Sequence, residues 1–442
     1  MGVGAALPIV DLASFASAED LGAELMRVGR NPGFFYVVGH DLSDDVASHV
    51  FRLAQHFFDA PAEEKLAYGN GSGDLFSADS GPPFRLLQGY TGMREETLSG
   101  KGPGDVKESF YLADPGTSQQ PLPPRLDRHR EQLAAFFHDC DALAKKLLKA
   151  MAIGLGVPQD YLSKAHTGES CRMRLINYPA VSCESPKRDA VNNDSGDIRA
   201  GAHSDYGSLT LLFRQPSDQG GLQVLRQDDS AGPTWIDVPC LPNAIVVNIG
   251  DALEFWTAGR LRSTVHRVAF PRNAKENVAR LSIPVFIQPD RNVVLAPIGV
   301  SGGSSEGQPA VDDAGFLNVL KRKGYASAAP VTSHEHLTSR IRRLGHFLGG
   351  AVHTEVAGPL RLCWQGAERT GPGNMIEILH GNGEVVRYDE VLNGNFSSGF
   401  MRCMCELWLV QNGRILRLRS LEVLVDPTNV LQELLASLNS QR

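Results

Sequence analysis

The chain has 442 residues, 42% of them hydrophobic, and a formal charge of −7. That length and composition fit one large folded body with an extension, or two to three domains, and exclude wholesale disorder. The acidic balance gives no electrostatic case for nucleic acid or an anionic membrane, and no apolar run reaches the roughly 20 residues that span a bilayer. The opening MGVGAALPIVDL lacks a basic n-region, so no secretory signal is expected. Its Met1-Gly2 start is discounted as a myristoylation site because Ala6 stands where Ser or Thr is wanted. Seven cysteines are scattered without a CxxC pair, which reads as reduced, mostly buried thiols in a cytoplasmic protein.

In chain order, LPIVDL (7–12) predicts a short strand. Residues 18–30 carry helical periodicity, and GFFYVVGH (33–40) predicts a buried strand. A helix is expected over 43–58 with Ser43 as its N-cap. Residues 69–104, rich in Gly and Ser, read as loops without phosphate-loop spacing. A long helix is expected over 125–154. From RMRLINYPA (172–180) the pattern turns to short strands at 208–213, 221–226, 244–248, 262–270 and 279–287. Such a run predicts a sandwich or barrel. GVSGGSSEGQPAVDDAG (299–315) reads as a loop, with helices near 315–323 and 333–348. From 331 to 442 there are 11 Arg, no Lys and 11 acidic residues, so the first 330 residues carry the whole net charge. That last stretch predicts a hairpin about Asn412-Gly413 and a closing helix with Asp426 as N-cap and Pro427 at its first position.

The chemistry concentrates in RAGAHSDYGSLTLLF (199–213). In an extended segment residues i and i+2 point the same way, so His203 and Asp205 can converge on one point. STVHRVAF supplies a third group, His266, on an expected strand. His-x-Asp followed about sixty residues later by a strand-borne His is the two-His, one-carboxylate facial triad of non-haem Fe(II) oxygenases, which leaves the opposite coordination positions open. Alone, His-x-Asp is a weak signal, since Asp205 could simply cap the following turn. ARLSIPVFIQP sharpens it: Arg280 and Ser282 are again i and i+2, fourteen residues past His266. A guanidinium fork beside a hydroxyl is shaped to hold a carboxylate.

With these motifs, residues 5–345 resemble the isopenicillin N synthase-like group of 2-oxoglutarate/Fe(II)-dependent dioxygenases. The matching pieces include LPIVDL, GFFYVVGH, LLQGYTGMREE, DVKESFYL, RLINYP, GAHSDYGSLTLL, GGLQV and RLSIPVFIQP. The resemblance implies a mainly β fold with flanking helices: a double-stranded β-helix (jelly roll) core plus a small C-terminal α+β extension. The corresponding division is a 1–120 N-terminal dioxygenase region, a 121–350 helix and jelly-roll core, and a 351–442 extension. It implies that His203, Asp205 and His266 hold iron, and that Arg280, Ser282 and Tyr178 hold the distal carboxylate of 2-oxoglutarate. No catalytic residue beyond the metal centre is implied. Arg174 approaches the cosubstrate in some microbial relatives; a structural salt bridge is the alternative. Ile176 stands where many members have Asn. The expected activity is oxidation of a small-molecule substrate by hydroxylation, desaturation or ring closure. It would use Fe(II), 2-oxoglutarate and O2, supported by ascorbate, and release succinate and CO2. A monomer without nucleic-acid or membrane partners is expected. Leu209, Leu211 and Phe286 are core candidates that could also line the interior. The rivals are an ethylene-forming or 2-oxoglutarate-independent relative, and a non-catalytic binding protein on the same fold.

Overall fold

The computed structural model describes residues 7–69, 88–96, 98, 104–181, 198–217, 220–228, 232–299, 313–325 and 327–348, and beyond them the backbone of five further strands. The chain divides into two compact units, Met1–Ala351 and Val352–Arg442.

The strands of the first unit are β1 (Ile9–Asp11), β2 (Phe34–Val38), β3 (Gly89–Thr91), β4 (Glu108–Leu112), β5 (Arg172–Tyr178), β6 (Ile198–His203), β7 (Leu209–Arg214), β8 (Leu222–Asp228), β9 (Gly232–Asp237), β10 (Ile245–Ile249), β11 (His266–Ala269) and β12 (Arg280–Ile287), with a small ribbon of β13 (Val294–Leu295) and β14 (Val331–Thr332). Its helices are α1 (Ala18–Arg30), α2 (Asp44–Phe58), α3 (Ala62–Leu66), α4 (Pro124–Asp127), α5 (Arg130–Gly154), α6 (Asp251–Trp256), α7 (Asp313–Lys323) and α8 (Ser333–Leu348). Ser17 and Ser43 cap α1 and α2, each accepting a backbone N–H from the first turn through its side chain.

Two sheets make the core. An eight-stranded sheet runs β1-β2-β10-β7-β12-β5-β4-β3, and a four-stranded sheet runs β6-β11-β8-β9. Strands from both sides of residue 120 share the larger sheet. This is the jelly-roll arrangement, mostly antiparallel and flanked by helices.

Alternation along the larger sheet separates two apolar sets. Phe35, Val37, Leu209, Leu211, Phe213, Leu281, Ile283, Val285, Met173 and Leu175 join helix residues such as Leu25, Phe57, Phe136 and Leu147 in one cluster. The alternate positions Phe34, Tyr36, Val246, Ile176 and Tyr178 pack with Ala200, Leu222, Val224 and Val268 of the smaller sheet. This second face is the jelly-roll interior. Leu209 and Leu211 therefore pack against the helices as core residues, and the interior-lining alternative does not apply to them. Phe286 lies opposite Thr210 on the interior side, its ring 6.3 Å from that of Tyr111.

The strands at Ile198–His203 and Gly232–Asp237 and the helix Asp251–Trp256 were not expected from the sequence. The strand placed at 262–270 is confined to His266–Ala269.

The second unit contains an antiparallel meander, β15 (Arg361–Leu362), β16 (Asn374–Leu379), β17 (Val385–Val391), β18 (Met401–Gln411) and β19 (Arg414–Val425), paired in sequence order. β18 and β19 form the expected hairpin, with Gln411 opposite Arg414. The closing helix expected from Asp426 lies outside the described residues.

Candidate active site

His203 ends β6 and His266 begins β11, and these two residues are direct partners in the antiparallel register. Their rings are 4.3 Å apart between centroids. Asp205 follows two residues after His203, and its Oδ1 lies 3.7 Å from the Nε2 of each imidazole. One ligand atom from each of the three lies within 4.8 Å of the others, the arrangement that a single metal ion requires. Among the described residues this is the only such group of three His, Cys, Asp or Glu.

The surrounding hydrogen bonds aim these atoms. His203 Nδ1 donates to the Gly201 carbonyl at 2.7 Å, and His266 Nδ1 to that of Thr264 at 3.3 Å. A carbonyl only accepts, so each Nδ1 carries the proton and each Nε2 keeps a lone pair facing Asp205. Asp205 Oδ2 accepts from Thr210 Oγ1 at 2.6 Å and from Asn248 Nδ2 at 2.8 Å, leaving Oδ1 toward the imidazoles. Burial alone would push the Asp205 carboxyl up. The facing His266 and His203 and the two hydrogen bonds outweigh it and hold the group below its usual range. Burial, with His203 alongside, pushes His266 down to about 4. A carboxylate with two imidazoles whose Nε2 atoms face it is the donor set that suits Fe(II).

Close backbone packing fixes the loop after Asp205. Gly250 sits against Gly207, where an added Cβ would come within 2.1 Å of the Gly207 carbonyl oxygen. This approach lets Asp251 N donate to the Asp205 carbonyl at 2.7 Å and Gly250 N to that of Ser208 at 2.9 Å. The start of α6 is thereby joined to the carboxylate-bearing loop.

Arg280 and Ser282 lie on the interior face, opposite Tyr178 and Ile176 of β5. All four are buried. The Arg280 guanidinium stands 5.0 Å from the Tyr178 ring centroid, and its Nε has no hydrogen-bond partner among the described residues. Burial pushes Arg280 down to about 10, with Arg214 adding to the depression. A buried cation with an unmet donor beside a hydroxyl fits a carboxylate-bearing ligand. Tyr178 is thus brought to Arg280. Arg174 is engaged elsewhere: its Nη2 donates to Glu96 Oε2 at 2.5 Å and Ser109 Oγ at 2.7 Å, and it stacks 4.2 Å from the Tyr111 ring centroid. Of the two readings for Arg174, the structure draws the salt bridge. Burial works against the Glu96 charge, but Arg174 and Lys107 hold its carboxyl well below the usual range.

Sequence reasoning missed Thr210 and Asn248. The available signal was a polar side chain inside an apolar run, Asn248 in AIVVNIG and Thr210 in SLTLLF. It also missed Arg199 and Arg214, two further buried arginines of β6 and β7.

Residues 170–289 match the 2OG-Fe(II) oxygenase superfamily, and residues 7–134 match the family described as non-haem dioxygenase in morphine synthesis N-terminal. A UPF0676 protein of Schizosaccharomyces pombe is 37% identical over 62% of this chain and 79% of its own length. A feruloyl CoA ortho-hydroxylase of Ipomoea batatas is 31% identical over 66% of this chain and 73% of its own. Among solved structures, a full-length Neurospora crassa protein in complex with alpha-KG and 5-formyluracil superposes with a TM-score of 0.59 at 26% identity, covering 77% of this chain and 96% of that one. Matched at both its N-terminal region and its jelly-roll core, the chain belongs to the 2OG-Fe(II) oxygenase superfamily and is an enzyme of that iron- and 2-oxoglutarate-dependent class.

Proposed function

We propose that the protein oxidises a C–H bond of a small organic molecule, by hydroxylation in the first instance, with desaturation and ring closure as variants of the same chemistry. The observation that carries this reading is the convergence of His203 Nε2, Asp205 Oδ1 and His266 Nε2 beside a buried arginine with an unmet donor. His203, Asp205 and His266 would hold Fe(II) on one face, and Arg280 with Ser282 and Tyr178 the distal carboxylate of 2-oxoglutarate. The bound iron and cosubstrate supply the oxidising power from O2, with succinate and CO2 released.

The chain itself binds, orients and excludes water. Thr210 and Asn248 hold Asp205 in one rotamer, and the Gly201 and Thr264 carbonyls hold the imidazoles in one tautomer. The apolar interior around Ile176, Val224 and Val268 keeps the site dry. The name of the Ipomoea batatas relative, a hydroxylase, supports hydroxylation as the outcome. The buried, unpaired Cys140 and Cys171 support a reducing, cytoplasmic setting.

A metabolite-library screen scored by succinate release, with Fe(II), 2-oxoglutarate and ascorbate, tests the proposal. Succinate formed in step with an oxidised product supports it. Ethylene, or product without succinate, would replace it with one of the cosubstrate-divergent rivals.

A further inference from the structure

The interior face carries more positive charge than one arginine supplies. In the antiparallel register of β12 and β7, Ser282 lies directly opposite Arg214. Directly opposed residues project to the same side of a sheet, and so do Arg280 and Ser282 as i and i+2. Arg280, Ser282 and Arg214 therefore share the interior face, with the hydroxyl between the two guanidinium-bearing positions. Arg214 is only 8% exposed. One of its nitrogens, Nη1, donates to the Val238 carbonyl at 2.6 Å, while its Nε has no hydrogen-bond partner among the described residues. No ion pair joins Arg214 or Arg280 to a carboxylate among the described residues. Arg174 of the neighbouring β5 also has an Nε without a hydrogen bond but has the Glu96 carboxylate, and Arg199 of β6 leaves Nε and Nη1 unmet while its Nη2 donates to the Pro179 carbonyl.

Two buried cations on one face with no protein anion are costly unless a ligand supplies the charge. Burial lowers the proton affinity of both, and Arg214 lowers that of Arg280 further. A single carboxylate has about four lone-pair sites, enough to accept from a guanidinium on each side and a hydroxyl between them.

We propose that Arg214 is a second anchor for the distal carboxylate of 2-oxoglutarate, closing on it from β7 while Arg280 and Ser282 hold it from β12. This rests on the reading of Arg280 and Ser282 given above. The carboxylate is gripped from two adjacent strands, and the carbonyl of Val238 sets the Arg214 fork in place. Arg214 is a binding residue for the cosubstrate and has no part in holding the metal.

The test is anaerobic calorimetry on the Mn(II)-loaded full-length protein, titrated with 2-oxoglutarate and separately with glutarate. Glutarate has the same distal carboxylate but lacks the keto oxygen, so its affinity reports the anchor without the keto-acid chelate. Arg214→Gln should weaken both ligands by about tenfold, the low end for a charge-assisted hydrogen bond, and Arg214→Lys should recover part of the loss. The melting temperature without ligand should not fall in Arg214→Gln, because an uncompensated buried charge has been removed, while the rise produced by 2-oxoglutarate should shrink. Arg280→Ala is run alongside. If Arg280→Ala weakens 2-oxoglutarate and Arg214→Gln does not, Arg214 is not an anchor and the Arg280 reading stands. If neither changes affinity, both readings fall. A lowered ligand-free melting temperature with unchanged ligand affinity would make Arg214 a purely structural tie to Val238.

Discussion

Thr210 donates its hydroxyl proton to Oδ2 of Asp205 at 2.6 Å, from the strand that immediately follows the His-x-Asp loop. The same oxygen accepts from Asn248 of β10, so two neighbouring strands of the larger sheet fix one carboxylate. Thr210→Val keeps the branched shape of a buried strand residue and removes only the donor. Loss of such an outer partner typically lowers metal affinity about 10–100-fold. Competitive titration of Fe(II) or Co(II) into purified protein measures it, and an affinity within twofold of the parent would show that the hydroxyl does not orient Asp205.

The imidazoles should matter more. His203→Ala and His266→Ala each delete a nitrogen that faces Asp205 Oδ1 at 3.7 Å. Metal affinity should fall beyond the roughly 10–100-fold that an outer partner costs. The far-ultraviolet circular dichroism should be retained, because both residues lie at strand ends and the two apolar clusters keep all their members, the His266 ring touching them at Phe34. Unchanged affinity in both variants would remove the triad assignment.

The triad was legible because it needs only spacing: two polar groups at i and i+2, and a third on a strand about sixty residues on. The strand periods were legible for the same reason, since alternation survives in any strand with one apolar face. Alternation does not say which face meets which neighbour, and so the sequence leaves interior lining open for Leu209 and Leu211, which pack as core residues against the helices. β6 was invisible because GDIRAGAH has two glycines and two charged residues where a strand signal wants β-branched or aromatic side chains. Arg214 resembled a polar residue at a strand end; only the register with Ser282 shows it inside. Glu96, Lys107, Ser109 and Arg174 are gathered by the pairing of β4 with β5 and the loop before them, which no short-range pattern encodes.

Arg280→Ala should separate the cosubstrate from the metal. It would leave the cosubstrate's distal carboxylate without its fork at roughly 2–5 kcal/mol, so the apparent affinity for 2-oxoglutarate should fall at least about tenfold. Metal affinity should be nearly unchanged, because Arg280 forms no hydrogen bond with any of the three candidate ligands. The visible charge-transfer absorption of the anaerobic Fe(II) and 2-oxoglutarate mixture follows both quantities in one titration. Equal affinity in parent and variant would make the Arg-x-Ser pair structural.

Gly250→Ala probes the close approach behind the site. The new methyl would lie 2.1 Å from the Gly207 carbonyl oxygen, a backbone atom that cannot swing aside. Overpacking of this kind typically costs about 1–3 kcal/mol. The displaced loop carries Asp205, so metal affinity should fall together with stability. Urea unfolding of the metal-free protein measures the first and metal titration the second. A variant as stable as the parent would mean that the loop and the start of α6 can separate freely.

The second unit supplies none of the groups discussed. The larger apolar cluster of the first unit is assembled from Val10 to Leu320, and every site residue lies between Tyr178 and Ser282. Met1–Ala351 thus closes its own core, which a unit of this size can do without outside help. The 91-residue remainder, Val352–Arg442, has its own five-stranded meander. A chain ending at Ala351 should be soluble, unfold cooperatively and retain coupling of 2-oxoglutarate decarboxylation to O2 uptake. Exposed sheet edges recruit other strands, which is the physical route by which a tail could instead complete the first unit. The discriminating measurements are the unfolding transition and succinate release of the shortened chain beside the full one. An insoluble product, or soluble protein with metal bound and cosubstrate turnover lost, would show that the first unit is incomplete without the second.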